Sequence, residues 1–282
     1  MSDDSLSPAE IVALEHAGLE AWADLFRSVP PAFTRAYRPE WREEQGVHYT
    51  RCRAIPFAPF NTIHDLGLTA PATEPLLDQL LAAYAAVGIT RFEVIHHPGR
   101  VPAALPRWLA SRRLHARSAH CRLYALGGPA RSSGATPSPE SVVVVDQHLA
   151  PRWTTFLDRW YELPTGAWFR ELVGRRGWLH AVLLRDGEVR AARSLYLSPG
   201  REGWLGLEAP VPGMMTTDHA DDDLLLGHLL AEARRREARV VVADATTHED
   251  HLERWQRLGL RVGYLRTAYA PASHEGDPVG AP

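Results

Sequence analysis

The residues with chemical capacity gather in the last third of the chain. Glu208 closes the run Leu205-Gly206-Leu207-Glu208-Ala209. Leu205, Leu207 and Ala209 alternate there with Trp204, Gly206 and Glu208, which is the period of a strand. A carboxylate near the end of a central strand faces a cleft, and burial there raises its pKa toward the working range of a general base. On an edge strand the same glutamate points to solvent. Further on, Asp218, His219 and Asp221–Asp223 stand before one helix, and His248, Glu249, Asp250 and His251 before the next. Oxygen-plus-imidazole sets of this kind suit zinc, iron or manganese, and His248 and His251 at i, i+3 share a helix face. Acid clusters at helix starts are also ordinary caps, each carboxylate adding roughly 0.3–1 kcal/mol to the helix. His-Glu-Asp-His matches no ligand signature, so the sequence favours no metal. His96-His97 reads as a surface pair. Tyr264 and Tyr269, on the last strand, are phenols able to donate a proton or to fill a core.

Composition narrows the chemistry. The 282 residues include no lysine, all 31 basic residues being arginine, so Schiff-base chemistry and a lysine general base are excluded. Cys52 and Cys121 have no Cys-x-x-Cys spacing, which suits a reducing compartment and argues against a disulfide framework or a thiolate zinc site. A net charge of −3 implies no nucleic-acid partner. The start MSDDSLSPAE is no signal peptide, and no apolar run approaches the ~18 residues of a membrane span. The expectation is a cytoplasmic protein with no membrane partner, acting on a small molecule.

These residues need elements to position them. From Trp204 onward the spacing predicts a strand over 204–209, a loop over 210–223, a helix over 224–238 and a strand over 239–245. A helix over 248–258, ended by Gly259, and a strand over 261–269 follow. Leu225, Leu229 and Leu230 give the first helix an apolar stripe, and Val240–Ala243 has the continuous apolarity of a strand buried on both faces. Upstream, Ser7-Pro8-Ala9-Glu10 is a capping box opening a helix to Arg27. Residues 29–46 read as irregular. Strands are expected over 47–55, 60–68, 91–95 and 120–126, and helices over 76–87 and 105–113. GGPARSSGATPSPES at 127–141 is a linker. Beyond it come a strand at 142–145, helices over 150–162 and 167–174, and a hairpin over 179–197 turning at Asp186-Gly187. The halves repeat: Leu105-Pro106-Arg107-Trp108 matches Leu252-Glu253-Arg254-Trp255, and Arg122–Ala125 matches Arg266–Ala270.

The order strand–loop–helix–strand–helix–strand over Trp204–Ala270 resembles the second half of the GNAT (GCN5-related N-acetyltransferase-like) acyltransferase fold. The stretch from Pro56 to Tyr124, with FAPFNTIHDLGL and LPRWLASRRL, resembles a first GNAT domain. The resemblance implies an α/β protein of two GNAT-like domains in tandem, each a central mixed sheet flanked by helices. The domains would span 1–127 and 140–272, with a linker at 128–139 and a tail at 273–282. It implies transfer of an acyl group from acetyl-CoA or another acyl-CoA to a small-molecule amine. Glu208 would be the general base, with Tyr264 or Tyr269 as the acid.

Two positions depart from the family pattern. Its pyrophosphate loop, Gln/Arg-x-x-Gly-x-Gly/Ala, cradles phosphates on backbone N–H groups at a helix N-terminus. The matching segment here, Thr216, Thr217, Asp218, His219 and Ala220 running into Asp221–Asp223, has no glycine and four carboxylates. One carboxylate about 5 Å from a phosphate costs roughly 3 kcal/mol in an effective dielectric near 20, unless the carboxylates turn away or pair with arginines such as Arg234 or Arg235. Trp255 stands where the family places a tyrosine acid, four residues before Gly259, and an indole N–H cannot protonate a thiolate. The alternative is a GNAT-fold protein that no longer uses CoA, either an enzyme of another reaction or a binding module.

Overall fold

The computed structural model describes residues 6–127, 142–209, 220–246 and 249–272, without the side chains of 246 and 249–251. The linker expected at 128–139 and the tail at 273–282 lie outside them. The chain forms two compact units, neither continuous in sequence. Unit 1 takes Met1–Glu15, Pro31–Cys121 and Gly263–Pro282, and unit 2 takes His16–Pro30 and Arg122–Val262.

The first helix, α1 (Pro8–Arg27), opens on the expected capping box. The Ser7 backbone N–H donates to Glu10 Oε2 at 2.8 Å, and the Glu10 N–H donates to Ser7 Oγ at 3.3 Å. Its Leu25 and Phe26 are buried in unit 2. Residues 29–46 are not irregular. They form α2 (Pro31–Tyr37) and β1 (Glu40–Glu44), which pairs antiparallel with β2 (Val47–Arg51). β1 reads EWREE, too polar for an apolar pattern to reveal, but Arg51 Nε donates to Glu40 Oε2 at 3.0 Å across the ladder. Gln45 and Gly46, with φ of 49° and 77°, make the tight reversal.

The strand expected over 60–68 shrinks to β3 (Thr62–Ile63). Asn61 is the cause. It is fully buried, its Oδ1 accepts from the Cys52 N–H at 2.7 Å, and its Nδ2 donates to the Ile55 carbonyl at 2.9 Å. One amide side chain thus satisfies backbone that a longer ladder would have used. α3 (Glu74–Ala85), capped by Thr73, packs Leu76, Leu77, Leu80 and Tyr84 on the unit 1 sheet. β4 (Glu93–His96), α4 (Leu105–Ser111) and β5 (Leu114–Leu126) follow.

In unit 2, β6 (Val142–Val144) is followed by α5 (Ala150–Tyr161) and α6 (Gly166–Phe169). β7 (Trp178–Arg185) and β8 (Glu188–Leu197) make the expected hairpin, with Asp186 and Gly187 at φ 51° and 76°. β9 (Glu202–Ala209), α7 (Ala220–Arg235), β10 (Val240–Thr246) and α8 (Glu249–Arg257) complete it. The Leu225, Leu229 and Leu230 stripe and the Val240–Ala243 run are buried as expected. Gly259 has φ +92° after α8. α7 begins at Ala220, not at 224: Asp221–Asp223 lie inside its first turn, where the helix dipole favours them.

The last strand, β11 (Arg261–Pro271), pairs Thr267–Tyr269 antiparallel with Val94–His96 of β4. Strand order in unit 1 is β1-β2-β3-β4-β11-β5, and in unit 2 β5-β10-β9-β8-β7-β6, with β5 divided between them at Cys121/Arg122. Each unit is a mixed sheet with helices packed on it. No helix among the described residues is long and apolar enough to cross a membrane.

Candidate functional site

The site is built on an irregularity in β9. Ala209 pairs with Ala192 of β8 and Gly206 with Ser194, so Leu207 and Glu208 together face the single residue Arg193. This is a β-bulge, and Leu207 sits at φ +51° to make it. On its other side β9 pairs in parallel with β10 from Glu202–Trp204 to Val240–Val242. Glu208 is thus delivered at the end of a bulged central strand. Its side chain keeps 24% exposure. Burial pushes its carboxyl above the usual range, against the lowering effect of Arg193.

Arg193 organises the groups around Glu208. Its side chain is 1% exposed. Nε and Nη2 donate to Asp222 Oδ1 and Oδ2 at 2.8 and 3.1 Å, and Nη1 lies 3.8 Å from Glu208 Oε2. Asp222 also accepts from Arg254 Nη2, and Asp223 accepts from Arg254 Nε. Burial alone would raise the Asp222 carboxyl, but the Arg193 and Arg254 guanidiniums hold it below its ordinary value. Both guanidiniums lie over the Trp255 ring, at 5.3 and 5.4 Å from its centroid. Trp255 is 2% exposed, so the indole is a platform for two cations.

Asp221, the outermost acid of the turn, receives Arg185 Nη2 at 2.5 Å. The arginines that meet the α7 carboxylates therefore come from β7, β8 and α8. The expected partners, Arg234 and Arg235, do not take this part; Arg235 pairs with Glu232 one turn away. The reason is geometric: first-turn side chains of a helix face the strands it packs on, not the residues three turns below. With every carboxylate of Asp221–Asp223 neutralised, the expected repulsion of an anion loses its source at these three positions. Thr216, Thr217, Asp218 and His219 lie outside the described residues, and Ala220 is the first residue of α7.

Tyr161 was not anticipated. It ends α5, and its hydroxyl donates to the Glu208 backbone carbonyl, tying the helix to the bulge. The long apolar pattern of α5 marks its buried face but carries no sign of this bond. Tyr264 and Tyr269 belong to unit 1, Glu208 to unit 2. Tyr264 is buried and its hydroxyl donates to Glu15 Oε1 at 2.6 Å. Tyr269 packs on the unit 1 core with its ring 6.0 Å from that of His96. His97 is fully buried, not a surface residue, because the segment after β4 folds inward. Among the described residues no cluster of His, Cys, Asp or Glu is arranged to hold a metal ion. Of the acid-rich sets, Asp218, His219 and His248 lie outside the described residues.

No protein-family model matches the sequence, and no curated protein is similar to it. Solved structures are. A GCN5-related N-acetyltransferase from Kribbella flavida superposes with a TM-score of 0.63 at 10% identity, over 95% of this chain and 98% of its own. A tandem GNAT protein from the clavulanic acid biosynthesis pathway gives 0.54 at 14% identity, over 96% and 97%. A GNAT-family acetyltransferase from Colwellia psychrerythraea gives 0.50 at 8%, over 89% and 95%. Identities this low speak to architecture, and the architecture of this chain is the GNAT fold.

Proposed function

We propose that the protein is an N-acyltransferase that moves an acyl group from acyl-CoA to a small-molecule amine, with Glu208 as general base. The observation that carries this reading is the bulge at Leu207–Glu208, which presents a carboxyl of raised pKa at the end of a central strand. Similarity to GNAT acetyltransferases and to a tandem GNAT protein supports it. The donor fits what surrounds the site. Among the described residues β9 pairs with β10 over Glu202–Trp204, and a strand edge past that point suits an extended chain carrying amides. On this reading the N-terminus of α7 and the segment Thr216–Ala220 take the pyrophosphate, and the carboxylates of Asp221–Asp223 are already paired with arginines.

Acyl-CoA supplies the activated thioester. The chain's part is proton handling. An alkyl ammonium, with a pKa of about 10.4, must lose a proton before its nitrogen can attack. Glu208 accepts that proton; the neutral nitrogen then forms the N–C bond, the C–S bond breaks, and the second proton of the nitrogen passes to the departing sulfur, leaving amide and thiol. A thiol pKa near 8.5 makes the thiolate a competent leaving group with little help from an acid. Tyr264 and Tyr269 remain proposals for that acid, and Tyr→Phe at each tests them: a loss of roughly 10²-fold in turnover assigns the role. Calorimetric titration with acetyl-CoA tests the whole reading. Micromolar affinity is expected, and no heat at millimolar ligand overturns it.

A further inference from the structure

The interior of unit 1 contains a guanidinium with almost nothing to hold it. Arg100 follows β4 and is 6% exposed. The backbone beside it is pinned: Val101 N–H donates to the Gly67 carbonyl at 3.1 Å, and Ala72 N–H donates to the Val101 carbonyl at 2.8 Å. Gly67 has φ +76°, and a Cβ there would stand 2.7 Å from the Val101 oxygen, so only glycine permits this approach. Arg100 is thus positioned in advance of any ligand.

Its Nη2 donates to the His64 carbonyl at 2.7 Å, while Nε and Nη1 are buried without a hydrogen-bond partner. Nη2 carries two hydrogens, one parallel to the N–H of Nε and one parallel to an N–H of Nη1. Whichever of them His64 takes, the other edge keeps two parallel donors, the geometry that grips a carboxylate. The nearby acids are committed elsewhere. Glu15 accepts from Tyr264 at 2.6 Å and lies 3.3 Å from Arg266 Nε. Asp65 accepts from the backbone N–H of His48 at 2.6 Å and faces its Nδ1 at 2.7 Å. Both act on the charge of Arg100 from a distance. His97, fully buried, turns its Nδ1 toward the Pro98 carbonyl at 3.5 Å. A buried guanidinium with two nitrogens unmatched is unfavourable.

We propose that Arg100 forms a buried site for a small monocarboxylate, its two oxygens on the open guanidinium edge. The site lies wholly in unit 1 and does not rest on the acyltransferase reading, so either can fail without the other. Thermal melts of the full chain in sodium acetate, against sodium chloride at equal ionic strength, test it. Acetate should raise Tm saturably, by about 2–3 °C at ten times its Kd. Arg100→Met, which keeps the volume and removes the charge, should abolish that response. No acetate-specific shift in the wild type, or an equal shift in Arg100→Met, overturns the proposal. Should the variant not fold, carboxyl-13C acetate decides with the wild type alone. Line broadening or a separate bound signal is expected, and a sharp, unshifted line would leave ordered water as the occupant.

Discussion

Glu208 and Asp222 are two carboxylates with opposite environments. The pKa of Glu208 is raised, mainly by burial, and that of Asp222 is lowered by Arg193 and Arg254 despite burial. Only the ionised form of Glu208 accepts a proton. The rate of amine acylation should therefore fall as pH drops through a value above the ordinary 4.5 of a glutamate. Glu208→Gln should lower kcat/KM by roughly 10²-fold or more and erase this acid limb while leaving acetyl-CoA affinity unchanged. Steady-state kinetics across pH check both, and a variant that keeps its rate removes Glu208 from the mechanism. The sign for stability is opposite. A raised folded-state pKa means that the contribution of Glu208 is complete below the unfolded value and is lost as pH rises through the folded one. The glutamate itself was legible from strand alternation. Arg193 was not, since its partners Asp222 and Glu208 lie on other elements of the chain.

At the scale of the element, the first turn of α7 is held by side chains from β7, β8 and α8. Adjacent aspartates there should behave differently. Asp222→Asn leaves two buried guanidiniums short of a counter-charge and should cost about 3–5 kcal/mol in urea denaturation. Asp221→Asn breaks a pair whose arginine is 55% exposed, so it should cost less than about 1 kcal/mol and leave acetyl-CoA affinity within about threefold, a difference under 1 kcal/mol. A marked tightening of acetyl-CoA binding in Asp221→Asn would restore the view that these acids repel the donor. Periodicity located α7, and its acidic run announced a helix start. Which arginines the acids would meet was beyond reach, because the bonds span 29 to 36 residues of sequence.

At the scale of the whole molecule, three buried histidines set the acid limit. Burial brings His64, His97 and His180 down to about 3. The unfolded chain protonates them near 6.5, so stability present above that value is lost as pH falls toward the folded pKa. By pH 5 each accounts for about 2 kcal/mol, and Tm should drop steadily between pH 7 and 5. A flat Tm over that range would show that these rings are protonated when folded. The interleaving of the chain leads to a second expectation. Unit 2 includes His16–Pro30, where the Leu25 carbonyl accepts from Trp168 Nε1 at 2.8 Å and Asp24 takes Arg175 at 2.7 and 2.8 Å. The fragment 140–282 lacks these and should show no cooperative melt by circular dichroism; a sigmoidal transition would contradict this.

The sequence by itself determined what depends on neighbours a few residues away. These are the capping box at Ser7, the hairpin at Asp186-Gly187, the stop at Gly259, the stripes of α3 and α7, and the order of elements that marks a GNAT fold. Local patterns suffice there because helix caps, turns and faces are set by backbone geometry within one or two turns. Tertiary structure alone decided the rest. Asn61 shortens a strand by taking its hydrogen bonds, Tyr161 ties a helix to the bulge, and β11 joins β4 in unit 1 although its sequence resembles the other closing strand. It also decided that Tyr264 meets Glu15 across 249 residues of chain and that Arg100 is buried with two nitrogens unmatched. Such pairings are chosen by packing and by the cost of burying charge, and no window of sequence contains both partners.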